Sequence, residues 1–102
     1  MSLQKKPLKT RPVSKVTFRL PPEAAGEADK VTLVGDFNNW DPQATPMQRL
    51  SSGEFKATLD LERGRKYQFR YLIEDMVWEN DWEADDYVAS DVGNCENCVV
   101  MV

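Results

Sequence analysis

A chain of 102 residues, 41% of them apolar and 29% charged, fits one domain with its own hydrophobic core and leaves little room for a second module or a deep substrate cleft. No apolar run approaches the length of a membrane span and the basic N-terminus lacks the apolar stretch of a signal peptide, so a cytoplasmic protein with no membrane partner is expected. The formal charge of −4 hides an asymmetry: Lys5, Lys6, Lys9, Arg11 and Lys15 precede the first acid, and from residue 16 onward eight basic residues face all seventeen acidic ones, a net of −9 that disfavours nucleic acid and anionic membrane surfaces.

Residues 1–12 are polar, basic and interrupted by Pro7 and Pro12, which predicts a disordered leader ahead of a domain spanning 13–102. Val16, Phe18 and Leu20 alternate with Lys15, Thr17 and Arg19, the period-2 pattern of a half-buried strand, which Pro21-Pro22 ends. Residues 23–29 read as a connection too short for a stable helix. Val31-Thr32-Leu33-Val34 gives a second strand, and Gly35-Asp36-Phe37-Asn38-Asn39-Trp40-Asp41-Pro42 a turn in which glycine and the Asn pair tolerate positive φ. A short strand over 47–50 and a turn at Ser51-Ser52-Gly53 lead into 55–61, whose odd positions form the core face. After Glu62-Arg63-Gly64, the residues Tyr67, Phe69, Tyr71 and Ile73 alternate with Lys66, Gln68, Arg70 and Leu72, so contacts are expected on both faces. Glu74-Asp75 marks a turn, Met76-Val77-Trp78 a short strand, residues 79–93 a long acidic loop, and Val99 to Val102 the last strand. Short strands, regular turns and no convincing helix predict an all-β, immunoglobulin-like antiparallel β-sandwich.

Two aromatics fall outside the core pattern. Trp40 sits in a turn, where it either folds back as a lid over the core or offers a flat platform to a flat partner such as a pyranose ring. Trp78 either packs across strands or joins Trp40 as the second wall of a cradle for a curved α-glucan chain. Arg70, on the face opposite the aromatic row, either donates to sugar hydroxyls or pairs with a surface carboxylate. Cys95 and Cys98 form a lone Cys-x-x-Cys; with no histidine and no second pair, a structural zinc site lacks ligands, and free thiols are favoured over a redox pair. The acidic stretch has neither the spacing of a calcium loop nor the opposed geometry of glycosidase carboxylates, and no serine or cysteine has a histidine to activate it. A binding module is therefore expected, with no catalytic residues, no metal and no cofactor.

The stretch from Val31 to Trp40, with Gly53-Glu54-Phe55, Leu59 to Gly64, Tyr67 to Tyr71 and Asn97-Cys98-Val99-Val100, resembles the family-48 carbohydrate-binding modules, also called isoamylase N-terminal or early-set domains. The similarity covers about residues 13 to 102 and includes the glycogen-binding domain of the AMP-activated protein kinase β-subunit. The resemblance implies an early-set sandwich that binds α-1,4-glucan without catalysis, as glycogen, starch or maltodextrin, and targets or regulates a separate kinase or glucan-processing enzyme. It further implies that Trp40 and Trp78 stack on glucose rings and that Arg70 replaces a sugar-binding lysine. Val92, Asn94 and Glu96 stand nearest the family's glucan-contacting loop before the last strand, and Trp82 stands where the family has a proline. The competing expectation is a regulatory domain that docks on a protein through the same aromatic face.

Overall fold

The structure is a computed structural model that describes residues 3–89 and 96–102. Alternation dictates its two layers. Sheet A runs in the order β1 (Leu3–Pro7), β2 (Val13–Leu20), β5 (Phe55–Glu62), β4 (Gln48–Arg49). Sheet B runs β3 (Val31–Gly35), β6 (Lys66–Ile73), β9 (Glu96–Met101), β8 (Asp86–Ala89), and β7 (Val77–Glu79) pairs with the far end of β6. All pairings are antiparallel, and the two sheets form the immunoglobulin-like sandwich that the turn spacing predicts.

The inner faces meet through Val16, Phe18 and Leu20 of β2, Phe55 and Leu61 of β5, Val31 and Leu33 of β3, Tyr67, Phe69 and Tyr71 of β6, and Cys98 and Val100 of β9. An aromatic column ties the layers together: Phe18 meets Phe69 edge-on at 5.1 Å between ring centroids, and Phe69 meets Tyr71 at 5.7 Å. The expected connection at 23–29 contains a single helical turn, α1 (Pro22–Ala25), that buries only Ala25.

Three expectations need correction. The leader is not wholly disordered, because residues 3–7 form β1 and add an edge to sheet A. Leu3 lies opposite Phe18 and is buried, Pro7 closes the strand at an edge where no amide donor is needed, and Lys5 Nζ reaches Asp85 Oδ2 at 2.6 Å. The acidic loop over 79–93 is not continuous loop, because Asp86–Ala89 pairs with Glu96–Met101 as β8. Its edge position requires one paired side only, so a strand with charged residues on it is tolerated. The last strand starts at Glu96, three residues ahead of the apolar run. Among the described residues, no helix is long and apolar enough to cross a membrane.

Candidate functional site

Three residues, Gly35, Asp36 and Asn38, fix the shape of the loop after β3. Gly35 is required by crowding: a Cβ there would lie 2.5 Å from the Gln68 carbonyl oxygen and 2.8 Å from Phe69 Cβ. A 3-10 turn over Asp36–Asn38 then delivers Asn39 and Trp40 in consecutive left-handed conformations, φ 58° and 56°. Left-handed backbone is unfavourable for a bulky side chain and persists only where the surroundings over-determine it.

Asn38 and Asp36 supply that over-determination. Asn38 Oδ1 accepts from the Gly35 amide at 3.1 Å, while its Nδ2 donates to the Leu33 carbonyl at 2.9 Å and to Thr45 Oγ1 at 3.0 Å. The Trp40 amide donates to the Gly35 carbonyl at 2.9 Å, and the indole Nε1 donates to Asp36 Oδ1 at 2.8 Å. The other oxygen, Asp36 Oδ2, accepts from the Gln68 amide at 2.8 Å, so one carboxylate links the indole to the backbone of β6. Trp40 is left half-buried, with its ring neither absorbed into the core nor loose.

The outer face of sheet B carries the remaining groups. Directly opposed residues of antiparallel strands project to the same side, and Arg70 lies opposite Val34 while Trp78 lies opposite Leu72. Gln68, Arg70, Leu72 and Trp78 therefore share a face. The Arg70 guanidinium carbon sits 5.5 Å from the Trp78 ring centroid, a cation–π contact, and Arg70 Nε donates to Asn80 Oδ1 at 3.0 Å. Trp78 remains 43% exposed. The Trp40 anchor is tied at Gln68 and Trp78 stands opposite Leu72, four positions along β6, or about 13 Å of strand, with Arg70 midway.

Of the other residues expected at the site, Glu96 is exposed at the start of β9, where alternation assigns Asn97 and not Glu96 to the face of Gln68 and Arg70. Asn97 Nδ2 donates to Gln68 Oε1 at 3.0 Å. Val92 and Asn94, like Cys95, lie outside the described residues. The supports Asp36, Asn38 and Asn80 carry no sequence signal beyond being polar residues next to tryptophans, because their partners are set by the fold.

Beneath this face a buried polar knot fastens the chain after β7. Asp81 is buried; its Oδ2 accepts from the Tyr71 hydroxyl at 2.7 Å, its carbonyl from the Tyr87 hydroxyl at 2.6 Å, and its amide donates to Cys98 Sγ at 3.0 Å. Burial pushes the Cys98 thiol up from 9.0 to about 12, the opposite of what a reactive cysteine needs. Burial, then the Asp81 carboxylate, raises Tyr71 well above its ordinary value. Among the described residues, no three His, Cys, Asp or Glu side chains cluster to hold a metal. An open pocket of about 400 Å³ is lined by Asp36, Phe37, Asp60, Glu62, Arg65 and Tyr67 among others, and includes none of Trp40, Arg70 or Trp78.

The sequence profile of carbohydrate-binding module 48, the isoamylase N-terminal domain, matches residues 8–88. The 1,4-alpha-glucan branching enzyme GlgB 2 of Xanthomonas campestris pv. campestris is 36% identical over 52 residues, 50% of this chain and 7% of the enzyme. The branching enzyme of Photobacterium profundum is 40% identical over 60 residues, 58% of this chain and 8% of the enzyme. That of Emericella nidulans is 43% identical over 49 residues, 48% of this chain and 7% of the enzyme. The matched region is therefore less than a tenth of each relative's length.

Proposed function

This chain belongs to the carbohydrate-binding module 48 family, a family of non-catalytic binding modules, and from that premise we propose that it binds α-1,4-linked glucan by aromatic stacking. The observation that supports the reading most is the shared outer face of sheet B, where Arg70 stands over the Trp78 ring between Trp78 and the anchor of Trp40. The C–H face of a glucose ring packs on each indole, and two platforms separated along β6 suit successive rings of a curved chain better than one flat wall. Arg70 offers planar N–H donors to the hydroxyls between them, and Asn80 fixes the plane. The surrounding carboxylates do not oppose an uncharged polyol, whereas they would oppose a phosphate-rich ligand.

A shallow, wet surface of this kind gives affinity between roughly millimolar and micromolar. Such a module tethers or regulates a glucan-processing system, and the similar proteins are named as enzymes of 1,4-alpha-glucan branching. The test is retention on immobilised amylose: the wild-type chain is retarded and eluted by maltodextrin, and Trp40→Ala, folded by circular dichroism, runs unretarded. Equal retention of the two proteins would sink the stacking assignment.

One observation favours a second reading. Met76 and Val77, beside Trp78 at the β6–β7 turn, are 78% and 54% exposed, an apolar tip suited to docking on a kinase or glucan-processing enzyme. A partner pulled down from extract and not displaced by excess maltodextrin would support docking; complete displacement would count against it.

A further inference from the structure

Among the described residues, the non-glycine residues with positive φ fall in two consecutive pairs, Asn39 with Trp40 and Glu74 with Asp75. The first pair contains one tryptophan of the proposed glucan face, and the second stands just ahead of the other, Trp78. Glu74 and Asp75, φ 54° and 58°, are the central residues of the β6–β7 turn, which the Met76 amide closes by donating to the Ile73 carbonyl at 3.0 Å. A hairpin turn with two left-handed residues ordinarily uses Asn-Gly or Asp-Gly, because bulkier side chains resist that conformation. A glutamate persists there only where its surroundings hold it.

The segment entering β3 does the holding. Glu74 Oε1 accepts from the backbone amides of Asp29 and Lys30, the latter at 3.3 Å, while the Glu74 amide donates to the Lys30 carbonyl at 2.9 Å. Lys30 Nζ also reaches Asp75 Oδ2 at 3.0 Å, but that pair is exposed and adds little, which leaves the Glu74 carboxylate as the principal side-chain tie.

The tie bears on the register of β7. This strand has three residues, none of them buried, and pairs with β6 through Tyr71 to Glu79, Leu72 to Trp78 and Ile73 to Val77. With no buried face to pin the pairing, the turn sets it. Side chains alternate along a strand, so a slip of one residue would send Trp78 to the opposite face and break its 5.5 Å contact with Arg70.

We propose that Glu74 is a positioning residue for glucan binding: by tying the β6–β7 turn to residues 29–30 it fixes the register that presents Trp78 beside Arg70 on the outer face of sheet B. This rests on the glucan-binding reading above and adds to it a residue that touches no sugar.

The experiment is calorimetric titration of wild-type, Glu74→Ala, Glu74→Asn and Glu74→Gln chains with maltoheptaose. It is paired with acrylamide quenching of Trp78 fluorescence, without sugar, in the same series carrying Trp40→Phe and Trp82→Phe. Glu74→Ala is expected to lose about three- to tenfold in affinity, the range of one or two hydrogen bonds, and to leave Trp78 more open to quencher. Glu74→Asn, at ease in left-handed backbone but too short to reach both amides, is expected to lose as much, whereas Glu74→Gln keeps the acceptor and restores affinity and quenching toward wild type. Wild-type affinity in Glu74→Asn, no rescue by Glu74→Gln, or weakened binding with unchanged Trp78 quenching overturns the proposal while leaving glucan binding intact. Absence of wild-type binding overturns the glucan reading and this inference with it.

Discussion

Asp36 does with one carboxylate what the Trp40 platform most needs: Oδ1 holds the indole and Oδ2 holds the amide of Gln68 on the neighbouring strand. The residue is itself exposed, so its removal is expected to cost less than about 1 kcal/mol of stability while releasing the ring from its acceptor. Asp36→Ala should therefore weaken glucan binding severalfold with a nearly unchanged urea midpoint; unchanged affinity would show that the indole needs no such anchor. Trp40, Arg70 and Trp78 stand out as candidates in the sequence because each breaks a pattern, an aromatic in a turn or a cation on a strand opposite an aromatic row. Asp36 and Asn38 do not, since a carboxylate or amide in an Asn-rich turn has many ordinary uses and the partners that single these two out are brought in by β6 and by Thr45. Asn97 was hidden for a related reason. Only the register of β9 against β6 distinguishes it from Glu96.

At the level of elements, the period-2 runs of β2, β5 and β6 were readable directly, because each has one face in the core and β-branched or aromatic residues to mark it. The strands that escaped are both edges. β1 buries Leu3 alone, and β8 consists of exposed or half-buried residues, so neither carries the apolar alternation that betrays a strand, and each exists because a neighbour offers a ladder. The knot of Tyr71, Asp81, Tyr87 and Cys98 fastens β6, β8 and β9 to the turn bearing Trp82, and it makes these elements sensitive to alkali. Cys98 and Tyr71 are both held neutral by the fold and ionise earlier in the unfolded chain, so above the ordinary thiol value of 9.0 the unfolded state binds fewer protons than the native one. Their contribution is fully present below about pH 9 and is lost as pH rises toward about 12, each titrating group adding a slope of up to about 1.4 kcal/mol per pH unit. Urea midpoints are expected to stay level up to about pH 8.5 and then fall, with a shallower onset in Cys98→Ala. A midpoint that holds flat through about pH 11 would contradict this account of the knot.

On the scale of the whole molecule, the sandwich divides its labour between faces. The inner faces are closed by the Phe18, Phe69 and Tyr71 column, and the outer face of sheet B, where Val34, Leu72 and Val99 are themselves buried, is a firm base for exposed aromatics and Arg70. The fold class was legible because turn spacing and alternation agree along most of the chain; the meeting of Arg70 with Trp78 was not, since it depends on β7 pairing with the end of β6 in one register. The central claim, that this face binds α-1,4-glucan, is tested most directly by intrinsic tryptophan fluorescence during titration with maltoheptaose, with a cello-oligosaccharide of equal length as control. The account predicts a saturable change with the α-linked chain and none with the β-linked one. No change at millimolar maltoheptaose, or the same change with both sugars, would contradict it.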